Sequence, residues 1–208
     1  MDIDPEHQLT TPEQITEVLG SPMDFVKAKI DDHIDESAAE FMAMSPLAFV
    51  ATHDSNGRVD VSPKGDPAGF IHVVASKTAL IPERKGNNLA DSIRNIVDTG
   101  RIGIIFVVPG HRETMRINGT ATISKDPALL EQLAVQGKPA LLCTIVDVEE
   151  CFFHCGKAMI RSKAWQPDTW GDRTDSLIAQ QAAVRMGDTD LAPVISESLE
   201  QNYVEELY

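Results

Sequence analysis

Three stretches of the chain gather polar side chains at spacings that suit chemistry. In the first, Arg58-Val-Asp-Val-Ser-Pro-Lys64 is followed by Ile81-Pro-Glu-Arg-Lys-Gly-Asn-Asn88. An Arg guanidinium presents two parallel N–H donors that match a phosphate, and Lys adds an adjustable point charge. Asn87 or Asn88 can cap a helix carrying Leu89, Ile93, Ile96 and Val97, so its free backbone N–H groups would join Arg84 and Lys85 in favouring an anion. The segment from Arg58 to Asn88 therefore reads as a site for a small phosphorylated ligand. The plain alternative is a solvated turn.

The second stretch is Glu113-Thr-Met-Arg-Ile-Asn-Gly119, where strand alternation brings Thr114, Arg116 and Asn118 to one side. Such a row suits the heteroatom edge of a planar ring, and equally the solvent face of an edge strand. The third runs from Phe152 to Trp165 as Phe-Phe-His-Cys-Gly-Lys-Ala-Met-Ile-Arg-Ser-Lys-Ala-Trp. His154 is its candidate proton donor, since an imidazole titrates near neutral pH. If residues 156–163 are helical, Lys157 and Arg161 share one face at i and i+4, with Ser162 and Trp165 close behind. Cys143, Cys151, His154 and Cys155 are chemically able to hold zinc, but their spacing matches no paired-ligand motif, and no metal site is assigned. Cys143 and Cys151 read more simply as core residues of a strand.

The elements that must position these residues follow from hydrophobic period. Thr10-Thr-Pro-Glu13 caps a first helix through Leu19, and a second is expected from Asp31 to Met44, ended by Ser45-Pro46. The period then becomes that of strands. Leu47–Thr52 and Arg58–Ser62 flank the turn Asp54-Ser-Asn-Gly57, with Arg58, Asp60 and Ser62 on one polar face and Pro63 as the expected break. Further strands are expected at Phe70–Ala75, Thr78–Ile81, Arg101–Val108, Thr114–Ser124 and Ala140–Phe153. Helices are expected from Asn88 to Gly100, over Asp126–Ala134, and in the tail at Asp175–Met186 and Leu191–Leu207. Six or more short strands with inserted helices predict an α+β fold, an antiparallel barrel in one domain. Residues 1–44 would form a helical lead-in, 45–165 the barrel and 166–208 a helical tail.

Charge supports the first site. The chain carries a net −14, yet residues 41–163 hold 14 Lys and Arg against 12 Asp and Glu, net +2, while the two flanks hold 4 against 20, net −16. Nucleic acid needs a cationic surplus that is absent here, whereas a single phosphate needs two or three cations. Neither a Gly-x-Gly-x-x-Gly nor a Gly-x4-Gly-Lys-Ser/Thr motif occurs, so side chains and turn amides must hold any phosphate. No apolar run approaches the roughly 18 residues of a membrane helix, and Met1–Leu9 is acidic. With three cysteines in a chain of this length, reduced thiols and a cytoplasmic location are expected.

Taken in order, the motifs resemble the pyridoxamine 5′-phosphate oxidase-like family from roughly Phe41 to Trp165. The landmarks are Ser45-Pro46, Arg58-x-Asp-Val-Ser-Pro-Lys64, Pro82-x-Arg-x-Gly-Asn-Asn88, Glu113-Thr-x-Arg-x-Asn-Gly119 and Phe153-His-Cys-x-Lys-Ala-x-x-Arg-Ser-x-x-Trp165. The resemblance implies a split barrel that binds flavin mononucleotide (FMN) and serves as a flavin-dependent oxidoreductase. It implies that Arg58 and Lys64 reach the ribityl-phosphate side, and that Arg84 and Lys85 grip the phosphate with Asn87 or Asn88. Thr114 and Arg116 would lie near the isoalloxazine ring or its tail. A homodimer is implied, with FMN at the interface and Lys157, Arg161, Ser162 and Trp165 serving the partner's cofactor. A non-catalytic flavin-binding or sensing protein is the alternative, as is a barrel holding haem or a deazaflavin. One departure bears on substrate. True pyridoxamine phosphate oxidases carry an Arg-x-His-type stretch near the C-terminus, where this chain offers Arg173 and Arg185 and ends Glu-Glu-Leu-Tyr, so another substrate is expected.

Overall fold

A computed structural model describes residues 4–171 and 176–207. Seven strands form one antiparallel sheet: β1 (Leu47–His53), β2 (Val59–Gly65), β3 (His72–Ala75), β4 (Thr78–Glu83), β5 (Arg101–Val107), β6 (Thr114–Ser124) and β7 (Leu142–His154). Their order is β2-β1-β5-β6-β7-β4-β3. On β1, β5 and β6, alternate residues are buried, and Val50, Ile104, Phe106, Met115 and Ile117 build the core with Phe41 and Met42 from a covering helix. Gly119 sits at a register shift between β6 and β7, where an added Cβ would lie 2.0 Å from the Asp147 carbonyl oxygen. The close approach requires glycine.

The sheet is curled into a split barrel. Between β2 and β4 lie four strands, so a flat sheet would separate them by roughly 24 Å at the usual strand spacing. Instead Lys64 Nζ of β2 stands 2.5 Å from Glu83 Oε2 of β4, and Arg84 Nε just beyond β4 stands 2.7 Å from Asp66 Oδ2 just beyond β2. The two strands share no backbone ladder among the described residues. Side-chain ion pairs span the split.

β2 runs to Gly65 instead of stopping at Ser62. Pro63 has no N–H to donate, but β2 is an edge strand and needs none on its open side. Lys64 thereby joins Asp60 and Ser62 on the half-buried face.

The helices are α1 (Pro12–Leu19), α2 (Asp24–Lys27), α3 (Glu36–Met44), α4 (Asp91–Thr99), α5 (Pro127–Gln132), α6 (Lys157–Ser162), α7 (Leu177–Met186) and α8 (Ala192–Glu205). α1 opens with the expected Thr11 cap, completed as a capping box by Gln14. α3 starts later than the periodicity suggests. Asp35 caps it, while Asp31 exchanges backbone hydrogen bonds with Cys151 of β7 at 2.7 and 3.1 Å. Cys143 and Cys151 are buried as strand core residues, their thiols pushed up by burial to about 11 and about 12. α7 is capped by Ser176 and packs against α8 and the 3₁₀ turn Thr189–Leu191. Asp175, the expected start of that helix, and Arg173 lie outside the described residues. No described helix is long and apolar enough to cross a membrane.

Candidate functional site

A cavity of about 600 Å³ opens where the barrel splits. One wall is the half-buried face of β2, with Asp60, Ser62 and Lys64. Facing it are Glu83, Arg84 and the loop from Lys85 to Ala90. Two segments about twenty residues apart in sequence thus place Lys64, Arg84, Lys85, Asn87 and Asn88 around one space. Arg58 is not among them. It sits exposed at the β1–β2 hairpin, where its N–H donates to Asp54 Oδ1 at 2.9 Å.

Each of these cations already has a carboxylate. Glu83, 5% exposed, binds Lys64 and accepts a 2.8 Å hydrogen bond from Thr144 Oγ1. Arg84 donates from Nε to Asp66 and from Nη2 to the Leu133 carbonyl at 2.7 Å, and its Nη1 has no partner among the described residues. Lys85 Nζ pairs with Glu206 Oε2 at 2.8 Å. Asp60 and Asp91 also line the cavity, so Lys64, Arg84 and Lys85 are matched in number by Asp60, Glu83 and Asp91. The counter-ions Asp66 and Glu83 were legible only as neighbours: Asp66 lies two residues past Lys64, and Glu83 directly precedes Arg84.

Asn88 does not open a helix. α4 begins at Asp91, with Ala90 as its N-cap and no side-chain cap. Asn88 and Ala90 take left-handed backbone angles (φ 63° and 54°), and the Leu89 N–H donates to Asn87 Oδ1 at 3.1 Å. These turns use up the residues expected to start the helix. Asp91 in the first turn then places a carboxylate where free N–H groups would attract an anion. The donors of this wall are therefore its side chains and loop amides, not a helix N-terminus.

The second and third motifs meet elsewhere. Register pairs Thr114 with His154 and Arg116 with Phe152 across β6 and β7. Arg116 Cζ and Lys29 Nζ each stand 5.7 Å from the Phe152 ring centroid, and the His154 ring lies 5.0 Å from it. His154 Nε2 is buried without a hydrogen-bond partner. Burial first, then the charges of Arg116 and Lys29, hold its pKa below the ordinary 6.5, which favours the neutral imidazole. Beyond β7, Lys157, Arg161 and Ser162 lie exposed on α6, and Trp165 Nε1 donates to the His111 carbonyl at 2.5 Å. Gly156 makes that turn possible, because a Cβ there would stand 2.6 Å from Arg112 Cβ. None of Thr114, Arg116, His154, Lys157, Arg161, Ser162 and Trp165 lines the 600 Å³ cavity. Trp165 borders a separate cavity of about 310 Å³ with Arg112 and Lys163.

The same register links Arg116 to Ile105, Ile105 to Phe49 and Phe49 to Pro63. Arg116 and Phe152 therefore belong to an outward sheet face that continues to β2, where Phe49, Val59 and Val61 are 39%, 68% and 58% exposed.

Residues 34–155 match the sequence profile of the family described as pyridoxamine 5′-phosphate oxidase. The chain belongs to that family. None of the curated proteins matches the sequence. Among solved structures it is similar to HupZ from Group A Streptococcus, with 25% identity over 58% of this chain and 93% of that one and a TM-score of 0.49. It is also similar to an FMN-binding protein from Syntrophomonas wolfei (10% identity, 58% and 83% covered, TM-score 0.43). HutZ, the heme storage protein from Vibrio cholerae, is similar over 59% of this chain and 94% of that one, at 12% identity and a TM-score of 0.41. The family match covers the strands β1 to β7 and the cavity wall, while α6, α7 and α8 lie beyond it.

Proposed function

We propose that this pyridoxamine 5′-phosphate oxidase family member binds FMN at the barrel split and works as a cytoplasmic, flavin-dependent oxidoreductase on a small molecule other than pyridoxamine phosphate. The observation that carries the reading is the convergence of Lys64, Arg84, Lys85, Asn87 and Asn88 on one 600 Å³ cavity. That volume suits a cofactor. Its donors suit a phosphate: Arg84 Nη1, the Lys64 and Lys85 ammonium groups and the exposed Asn87 and Asn88 amides. A bound flavin would supply the hydride and electron chemistry, and the chain supplies position and charge. Asp66 holds the Arg84 fork in place, Glu83 does the same for Lys64, and Asp60 and Ser62 offer polar contacts further along β2.

A homodimer completes this reading. Among the described residues of one chain the cavity has no surplus of lining cations, and the outward face with Phe49, Val59 and Val61 is exposed. Pairing that face with a second copy would bury it and could bring the partner's α6 cations to the cofactor. The absence of an Arg-x-His stretch among the described C-terminal residues supports a substrate other than pyridoxamine phosphate.

The absorbance spectrum of the purified protein tests the cofactor. A flavin spectrum is expected, lost on Arg84→Ala and weakened on Lys85→Gln; a haem or deazaflavin spectrum, or full retention of flavin by both variants, overturns the assignment. A second reading, a flavin carrier without catalysis, is favoured by one feature: the described residues of the cavity wall include no His, Cys or Tyr. Anaerobic addition of NADH or NADPH separates the two. Reduction of the bound flavin supports the oxidoreductase, and failure with both donors and an amine and alcohol panel supports the carrier.

A further inference from the structure

Lys85 serves two masters. It lines the cavity, and its Nζ is also 2.8 Å from Glu206 at the end of α8. That helix end is short of positive charge: its last turn has no basic residue, and Glu205 and Glu206 sit at the negative pole of the helix dipole. Among the described residues, Lys85 is the cation paired there. The ion pairs at the split differ in accessibility. Lys64–Glu83 and Arg84–Asp66 are largely buried, at 18%/7% and 15%/1% side-chain exposure, whereas Lys85–Glu206 is half exposed, at 52%/47%. Water and salt screen the outer pair, so it exchanges partners most readily. The Lys85 hydrogen bond, then that of Asn202, hold the Glu206 carboxyl below its ordinary pKa, so it stays anionic at neutral pH.

We propose that Glu206 is an internal competitor for the ligand phosphate: it occupies Lys85 in the empty protein and is displaced when a phosphorylated ligand enters. This rests on the phosphate-clamp reading given above. Lys85 cannot fully neutralise both anions, so phosphate binding and anchoring of the α8 end oppose each other. A ligand without a phosphate would leave the Lys85–Glu206 pair in place.

Flavin-free full-length protein titrated with FMN and with riboflavin tests this. Glu206→Gln should bind FMN about threefold more tightly, the scale of one exposed ion pair. Riboflavin affinity should not change, Glu205→Gln should behave as wild type, and Glu206→Gln should have no effect in a Lys85→Gln background. Hydrogen exchange at residues 202–206 should rise when FMN binds and stay constant with riboflavin. Unchanged FMN affinity in Glu206→Gln, with binding still dependent on Arg84, overturns the competitor while leaving the clamp intact. FMN binding indifferent to both Arg84→Ala and Lys85→Gln overturns the clamp, and the competitor with it.

Discussion

The two polar regions of this barrel are built on opposite principles. At the split, cations meet carboxylates directly: Lys64 with Glu83 and Arg84 with Asp66, all largely buried. At the β6–β7 end, Arg116 and Lys29 surround the Phe152 ring, and His154 packs against that ring with a buried nitrogen that has no partner. The first region is compensated and holds the barrel edges together. In the second, Lys29 Nζ donates to the Phe153 carbonyl at 2.5 Å but His154 Nε2 has no partner, and the cluster lies on an outward face with exposed Phe49, Val59 and Val61. The contrast teaches that the split balances its charges within one chain, while the second region leaves the His154 nitrogen unsatisfied on an apolar face.

The strongest way to break this comparison is at Asp66, whose side chain is 1% exposed. Asp66→Ala leaves the Arg84 guanidinium buried beside a missing partner, and removing one member of a buried pair typically costs about 3 kcal/mol or more. Urea unfolding should show that loss. The double variant Asp66→Ala/Arg84→Ala should recover part of it, since the Arg84 charge is then no longer left behind. A loss below about 1 kcal/mol in the single variant would mean that the split is held by packing, and that its ion pairs are as weak as surface ones.

Much of this architecture was legible in the sequence. β6 begins and ends where alternation places it, at Thr114 and Ser124, because one face is apolar without interruption from Met115 to Ala121. That Lys64, Arg84, Lys85, Asn87 and Asn88 gather around one cavity was legible because cations concentrate in an otherwise acidic chain. Pro63 misled, because a proline signals a break in a central strand but is tolerated at an edge, and edge position is a property of the assembled sheet. Asn88 misled for a related reason. Asn favours helix caps and left-handed turns alike, and here Asn88 and Ala90 took the turn. The grouping of Thr114, Arg116 and His154 apart from the cavity depends on how the sheet curls, which no local pattern encodes.

A smaller effect should appear at His154 as a function of pH. Its folded pKa lies below 6.5, so as pH falls past 6.5 the unfolded chain takes up a proton that the folded protein resists. Stability is therefore fully present above pH 6.5 and declines below it, with one proton limiting the slope to about 1.4 kcal/mol per pH unit. Unfolding midpoints of wild type and His154→Asn, measured from pH 7.5 to about 5, should converge as the pH falls. Parallel curves would show that the His154 environment is open to water, and that the β6–β7 cluster is an ordinary surface.

The smallest effect concerns Arg116, and it connects the two properties of that cluster. Its contact with Phe152 is worth about 0.5 kcal/mol at a site open to solvent, so Arg116→Ala should barely move the urea midpoint at pH 7.5. The same substitution removes one of the two cations that depress the His154 pKa. The onset of acid destabilisation should then persist near pH 6.5 but saturate at a higher pH than in wild type, because the folded imidazole accepts its proton sooner. Burial, the larger cause, remains in place, so part of the slope should survive. If a second copy covers this face, the change should be larger in the dimer than in the dissociated chain, since the charge then acts across a drier interface. Repeating the titration across protein concentrations that span dissociation would reveal that difference, and identical profiles would place Arg116 outside any subunit contact.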